Sequence, residues 1–84
     1  MPPYKYTVHE AVLQVFVAVR KTHRETLPSA FKHLAANPFE PGAAIRDRAG
    51  RSYQVKRFGE WAVTYWPDHF ANQVHIVAVE FLRN

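Results

Sequence analysis

The chain has no cysteine among its 84 residues, which removes disulfides and thiolate metal ligation and suits a reducing cytoplasm, where the protein is expected to work. No apolar run approaches the ~18 residues of a membrane span. The start, Met1-Pro2-Pro3-Tyr4-Lys5, lacks the apolar core of a signal peptide, so a soluble protein with no membrane partner is expected. Glycine is scarce, at 3. With so few, there is no phosphate-cradling glycine loop and no nucleophile elbow, and no cofactor is expected. The histidines do not form a ligand set: His9 and His75 begin elements, His23 and His33 lie on or near polar helix surfaces, and His69 falls in a loop. No H-x-x-x-H spacing occurs, so no metal is expected either.

A chain of 84 residues has room for one hydrophobic core and one domain, expected to span 1–84. A hydrophobic share of 48% is enough to fill that core and argues against disorder. Acidic residues are the minority: 11 Lys and Arg face 7 Asp and Glu, for a net charge of +4. Such an excess favours an acidic partner, nucleic acid or an acidic protein segment. The positive charge is concentrated, because Arg46, Arg48, Arg51, Lys56 and Arg57 lie close together with only Asp47 opposing them.

Periodicity divides the chain in two. Tyr4 to Val8 alternates and predicts a short strand. From His9 the period changes, and Val12, Val15, Phe16 and Val19 recur on one face of a helix ending near Lys21. Leu13 and Val17 fall on another face, which predicts cover on more than one side. A second helix is expected from about Thr26, with Pro28 in its first turn and Leu27, Ala30, Phe31 and Leu34 buried; Asn37-Pro38 ends it. Residues 37 to 43 form the connector. Ser52–Arg57, Trp61–Trp66 and Val74–Leu82 then read as strands rich in Val, Tyr, Trp and Phe, and Ala44–Arg48 pairs with the first of them across Ala49-Gly50.

Placing Tyr53 and Val55 on the core face with Trp61, Val63 and Tyr65 requires an odd connection, a Phe58-Gly59-Glu60 loop. Val77, Val79 and Phe81 would complete that face. Gln54, Lys56, Ala62, Thr64, Trp66, Ala78, Glu80 and Leu82 would form the other. The expectation is an α+β domain: a strand, two helices, then a three- to four-stranded antiparallel sheet with both helices on one face.

Two stretches carry a specific resemblance. Leu34-Ala35-Ala36-Asn37-Pro38-Phe39-Glu40-Pro41-Gly42 looks like the helix end and "NP…PG" connector of the RelE/ParE toxin superfamily. Tyr53 to Tyr65 resembles that superfamily's "Y-x-(I/V)-(K/R)…G-(D/E)-(Y/W)-R-V-x-Y" hairpin. The likeness implies the toxin of a type II toxin–antitoxin module, neutralised by an antitoxin protein. RelE-like members cut ribosome-bound mRNA; ParE-like members poison DNA gyrase without chemistry. Ala62 stands where RelE-like nucleases carry an arginine, and the sequence ends at Asn84, before the segment where they often place a further Arg and a Tyr or His. Those departures leave three readings open: mRNA cleavage, gyrase inhibition, or an inactive binding member.

Metal-free RNA cleavage needs a base for the 2′-hydroxyl, cations for the phosphorane and an acid for the leaving oxygen. Lys56, which matches a lysine position of RelE-like toxins, is the candidate cation, Glu80 the base and Arg83 a second cation. The alternative for Lys56 and Glu80 is a cross-strand ion pair. Arg46, Arg48, Arg51 and Arg57 are candidate contacts to phosphate or to an acidic partner. Trp66 is a candidate stacking platform for a base, or a packing residue at the sheet end.

Overall fold

The computed structural model describes residues 4–46 and 49–82. The elements run β1 (Lys5–Val8), α1 (Glu10–Ala18), α2 (Lys21–Arg24), α3 (Thr26–Ala36), β2 (Ala43–Arg46), β3 (Ser52–Phe58), β4 (Trp61–Asp68) and β5 (Gln73–Phe81). The sheet order is β1-β5-β4-β3-β2. Four strands are antiparallel neighbours, while β1 joins the edge beside β5 in parallel. The sheet is therefore five-stranded and mixed. The expectation of three or four antiparallel strands omitted β1, whose four residues carry no signal of which distant strand they will pair with.

The first helix is shorter than its periodicity suggests. It stops at Ala18, because Val19 is extended (φ −95°, ψ 159°) and the chain re-enters helix at Lys21. β-Branched valines hold a helix weakly, so tertiary contacts decide its end. Arg24 Nη1 donates to Phe16 O at 3.1 Å, satisfying a carbonyl of the last turn, and its guanidinium lies over the Phe16 ring. Pro28 is the third residue of α3, in the first turn, where a missing N–H is tolerated. At the other end Asn37 closes α3, its backbone N–H and Nδ2 both donating to His33 O.

One apolar cluster joins Val12 of α1 and Leu27, Phe31 and Leu34 of α3 to Trp61, Val63, Tyr65, Val74, Ile76 and Val79 of the sheet. The buried Trp61 N–H is satisfied by His23 O at 2.7 Å. Leu13 and Val17 are 52% and 73% exposed, so α1 is covered on one side and not on more.

The hairpin register departs from expectation. Phe58 pairs with Trp61, Lys56 with Val63 and Gln54 with Tyr65. Only Gly59 and Glu60 connect the strands, with Gly59 at φ +60°, the two-residue turn that a leading glycine permits. Removing one residue from the loop turns the whole of β3 over. Tyr53 and Val55 thereby leave the core side, and Gln54 and Lys56 enter it. β5 changes parity too: a register shift opposite Thr64 and Tyr65 puts Val74 and Ile76, along with Val79, on the buried side, and Val77 is only half-buried.

Candidate nucleic-acid interface

The helix side of β3 is polar because the connector covers it. Lys56 Nζ is ion-paired with Glu40, whose other carboxylate oxygen lies 3.6 Å from His33 Nε2. The hydrogen bond from Lys56 is the main cause that holds the Glu40 carboxyl below its usual range, with burial opposing it. Gln54 Oε1 accepts from Gly42 N at 2.9 Å and from the Tyr65 hydroxyl at 3.3 Å. Burial, then the charge of Glu40, raises the Tyr65 hydroxyl pKa. A Cβ on Gly42 would lie 2.7 Å from Val55 O, so the strap can lie this close only because residue 42 is glycine. Lys56 thus fastens the connector. It does not share a face with Glu80, which corrects the placement derived from strand parity.

The other face carries a different set. Arg57 pairs with Ala62, and Ala62 with Glu80, so these three form a row across β3, β4 and β5. Arg57 Nε donates to Gly59 O at 2.9 Å, one of the five donors of a guanidinium. A second row lies toward the opposite end of the sheet. Ile45 pairs with Tyr53, Trp66 with His75, and His75 with Thr7. The β3–β4 register ends at the Gln54–Tyr65 pair; carried one step further it aligns Tyr53 with Trp66, and the two line one cleft. This row crosses all five strands.

At its centre the Trp66 and His75 rings stack, 4.3 Å apart and 26° from parallel. His75 is held at both nitrogens, Nδ1 lying 2.7 Å from Thr7 Oγ1 and Nε2 3.3 Å from Asp68 Oδ2. The Ala71 backbone N–H is the first cause keeping the Asp68 carboxyl below its usual range; burial opposes it and His75 adds to it. An ionised carboxylate only accepts, so Nε2 carries the proton shared with Asp68, and Thr7 Oγ1 meets the other ring nitrogen.

Of the sequence candidates, Glu80, Arg57 and Trp66 lie on this face. Arg46 pairs with Ser52 and falls on the helix-side parity of the β2 edge. Arg51 lines a cleft with Ser52, Tyr53 and Trp66. Arg48 and Arg83 lie outside the described residues. The Thr7–His75–Asp68 chain was missed. It depends on β1 lying beside β5 and on β4 running past Pro67 to Asp68, neither of which local patterning reveals. Among the described residues no group of His, Asp and Glu is placed to hold a metal ion, and no helix is long and apolar enough to cross a membrane.

No protein-family model matches the chain, and no curated protein sequence matches it. Solved structures do. The RelBE2 toxin–antitoxin complex of Mycobacterium tuberculosis superposes with a TM-score of 0.80 at 18% identity, covering 95% of this chain and 99% of that one. This is the RelE toxin fold. The archaeal RelE–RelB complex of Pyrococcus horikoshii gives a TM-score of 0.74 at 14% identity, over 96% and 97% of the two chains. The intact E. coli RelBE complex gives 0.62 at 16% identity, over 96% and 99%. Matches of this breadth span nearly the whole chain.

Proposed function

We propose that this protein is the toxin of a type II toxin–antitoxin module and that it inhibits translation by cleaving ribosome-associated mRNA. The observation that carries the reading is the RelE fold, matched along nearly its whole length in chains solved together with their RelB antitoxins. The face bearing Arg57 and Glu80 supplies chemistry consistent with it. Glu80 would take the 2′-hydroxyl proton, and the Arg57 guanidinium would stabilise charge developing on the phosphorane. Arg57 replaces Lys56 in this role, since the Lys56 ammonium is committed to Glu40 on the other side of the sheet. Arg83 remains a candidate second cation, and Arg46, Arg48 and Arg51 remain candidate phosphate contacts.

An antitoxin is the expected protein partner. A stable complex of this kind buries on the order of 1,500 Å² in total, and the exposed Leu13 and Val17 of α1 offer apolar surface for it. The test is induced expression in cells with protein and DNA synthesis followed separately. Protein synthesis should stop first, with mRNA cut in translated regions. Ala62, uncharged between Arg57 and Glu80, favours a second reading in which the target is DNA gyrase and no bond is cut. An early halt of DNA synthesis with intact mRNA would select it.

A further inference from the structure

The row Tyr53–Trp66–His75–Thr7 has no part in the chemistry assigned to Arg57 and Glu80. Trp66 and His75 stand face to face, so one face of the indole is backed by the imidazole. Thr7 and Asp68 hold that imidazole from its two nitrogens, which fixes the pair before any ligand arrives. Beside Trp66 is a cleft of about 210 Å³ lined by Arg51, Ser52, Tyr53 and Trp66. By strand parity Tyr53 and Trp66 share one face of the sheet, and Arg51 lines the cleft with them, so the cleft offers two aromatic rings and a cationic side chain. Trp66 is 36% exposed, while Trp61, the other tryptophan, is 1% exposed.

We propose that this cleft is a stacking slot for one unpaired base of single-stranded RNA, inserted between Trp66 and Tyr53, with its phosphate held by Arg51. The occupant follows from chemistry. An aromatic face accepts any base without sequence preference, a neighbouring arginine meets the backbone, and the chain is cationic at +4. A base paired within a duplex has both faces covered and is refused. The slot deepens the RNA-directed reading above and rests on it. It would grip the strand away from the Arg57–Ala62–Glu80 row and so set which bond reaches that row.

The test uses the intact protein and a six-nucleotide, fully 2′-O-methylated RNA, which binds but cannot be cut. Binding is followed by tryptophan fluorescence, where only Trp66 is placed to be quenched by stacking. Trp66→Leu should abolish the quench and weaken binding, measured independently by fluorescence anisotropy of an end-labelled oligonucleotide, by roughly tenfold. Trp66→Phe should restore most of the affinity. Arg51→Gln should lower the slope of affinity against salt, which Trp66→Leu should leave unchanged. Thermal melts identify any variant that has merely lost its fold, and the comparison with an abasic strand on the unmodified protein carries the test if Trp66→Leu does.

Equal binding of an abasic strand of the same length, or unchanged affinity in a folded Trp66→Leu, would overturn the slot. So would a Trp66→Leu variant that keeps its RNA affinity but loses an antitoxin, since the cleft would then be a protein site. The toxin reading is scored separately, by mRNA cleavage in cells. Cleavage that survives in Trp66→Leu with unaltered cut positions removes the slot alone. Absence of cleavage in the unmodified protein removes the reading.

Discussion

Lys56 and Arg57 are adjacent in the chain and face opposite sides of the sheet, and their substitutions should separate accordingly. Lys56→Met removes the tie to Glu40 and should lower the melting temperature slightly, leaving RNA cleavage at its original rate. Arg57→Ala should leave the melt unchanged and reduce cleavage by about 10²–10³-fold, the usual loss for one charge-stabilising donor. Parallel melts and single-turnover cleavage assays check both. Ala62→Arg adds a cation between Arg57 and Glu80 and should raise cleavage. A fall would show that the gap at Ala62 is needed to admit the strand.

The carboxylates make a further residue-scale prediction. Glu40 and Asp68 have folded pKa values below their ordinary ones. Each therefore stabilises the fold fully above its unfolded pKa, about 4, and loses that contribution as the pH falls through the lower folded value. Between neutrality and that range neither contributes a pH dependence. Asp68→Asn and Glu40→Gln should each flatten the decline of melting temperature below about pH 4. Asp68→Asn should also loosen the Trp66–His75 stack, visible as a change in tryptophan emission.

At the level of elements the short hairpin and the strap beside it have the largest consequences. Gly59 takes φ +60°, so Gly59→Ala should cost about 1 kcal/mol from the left-handed backbone alone, read from denaturant unfolding. Gly42→Ala is expected to be worse. Its Cβ would meet a backbone oxygen of β3 that cannot move aside, and the Gly42–Gln54 hydrogen bond would stretch with it. On α1, Leu13→Glu or Val17→Glu alters side chains that are already mostly exposed, so stability should change little. Affinity for the antitoxin, measured by calorimetry on the reconstituted pair, should fall at least tenfold if α1 is covered in the complex. An unchanged affinity would move the antitoxin to another surface.

The whole molecule depends on one small core. Leu27 is fully buried within the cluster that joins the helices to β4 and β5. Leu27→Ala should cost about 2–5 kcal/mol, a large share of the ~5–15 kcal/mol of a typical domain. Loss of cooperative unfolding at 37 °C would be the readout. The charge distribution acts on the same scale. Association with RNA should weaken steeply with salt, because cations released from phosphates drive it.

Much of this was legible locally. The change from period two to helical spacing at His9 located the first helix. Leu27, Ala30, Phe31 and Leu34 were readable as one buried face, and the alternating runs after Ser52 located β3, β4 and β5. Such patterns arise because each element must bury one side, and that requirement is written along the chain. Which face of β3 is the buried one was not. Of its apolar residues only Phe58, at the hairpin end, packs on the core; Tyr53 and Val55 do not, because there β3 lies under the strap of Glu40 and Gly42, and Gln54 and Lys56 find their partners in it. The parallel β1–β5 edge and the bulge in β5 were equally beyond local reading, because pairing between distant strands is chosen by the closure of the sheet. Through those choices tertiary structure decided that Arg57 shares a face with Glu80, and that Thr7, His75 and Trp66 stand in one row.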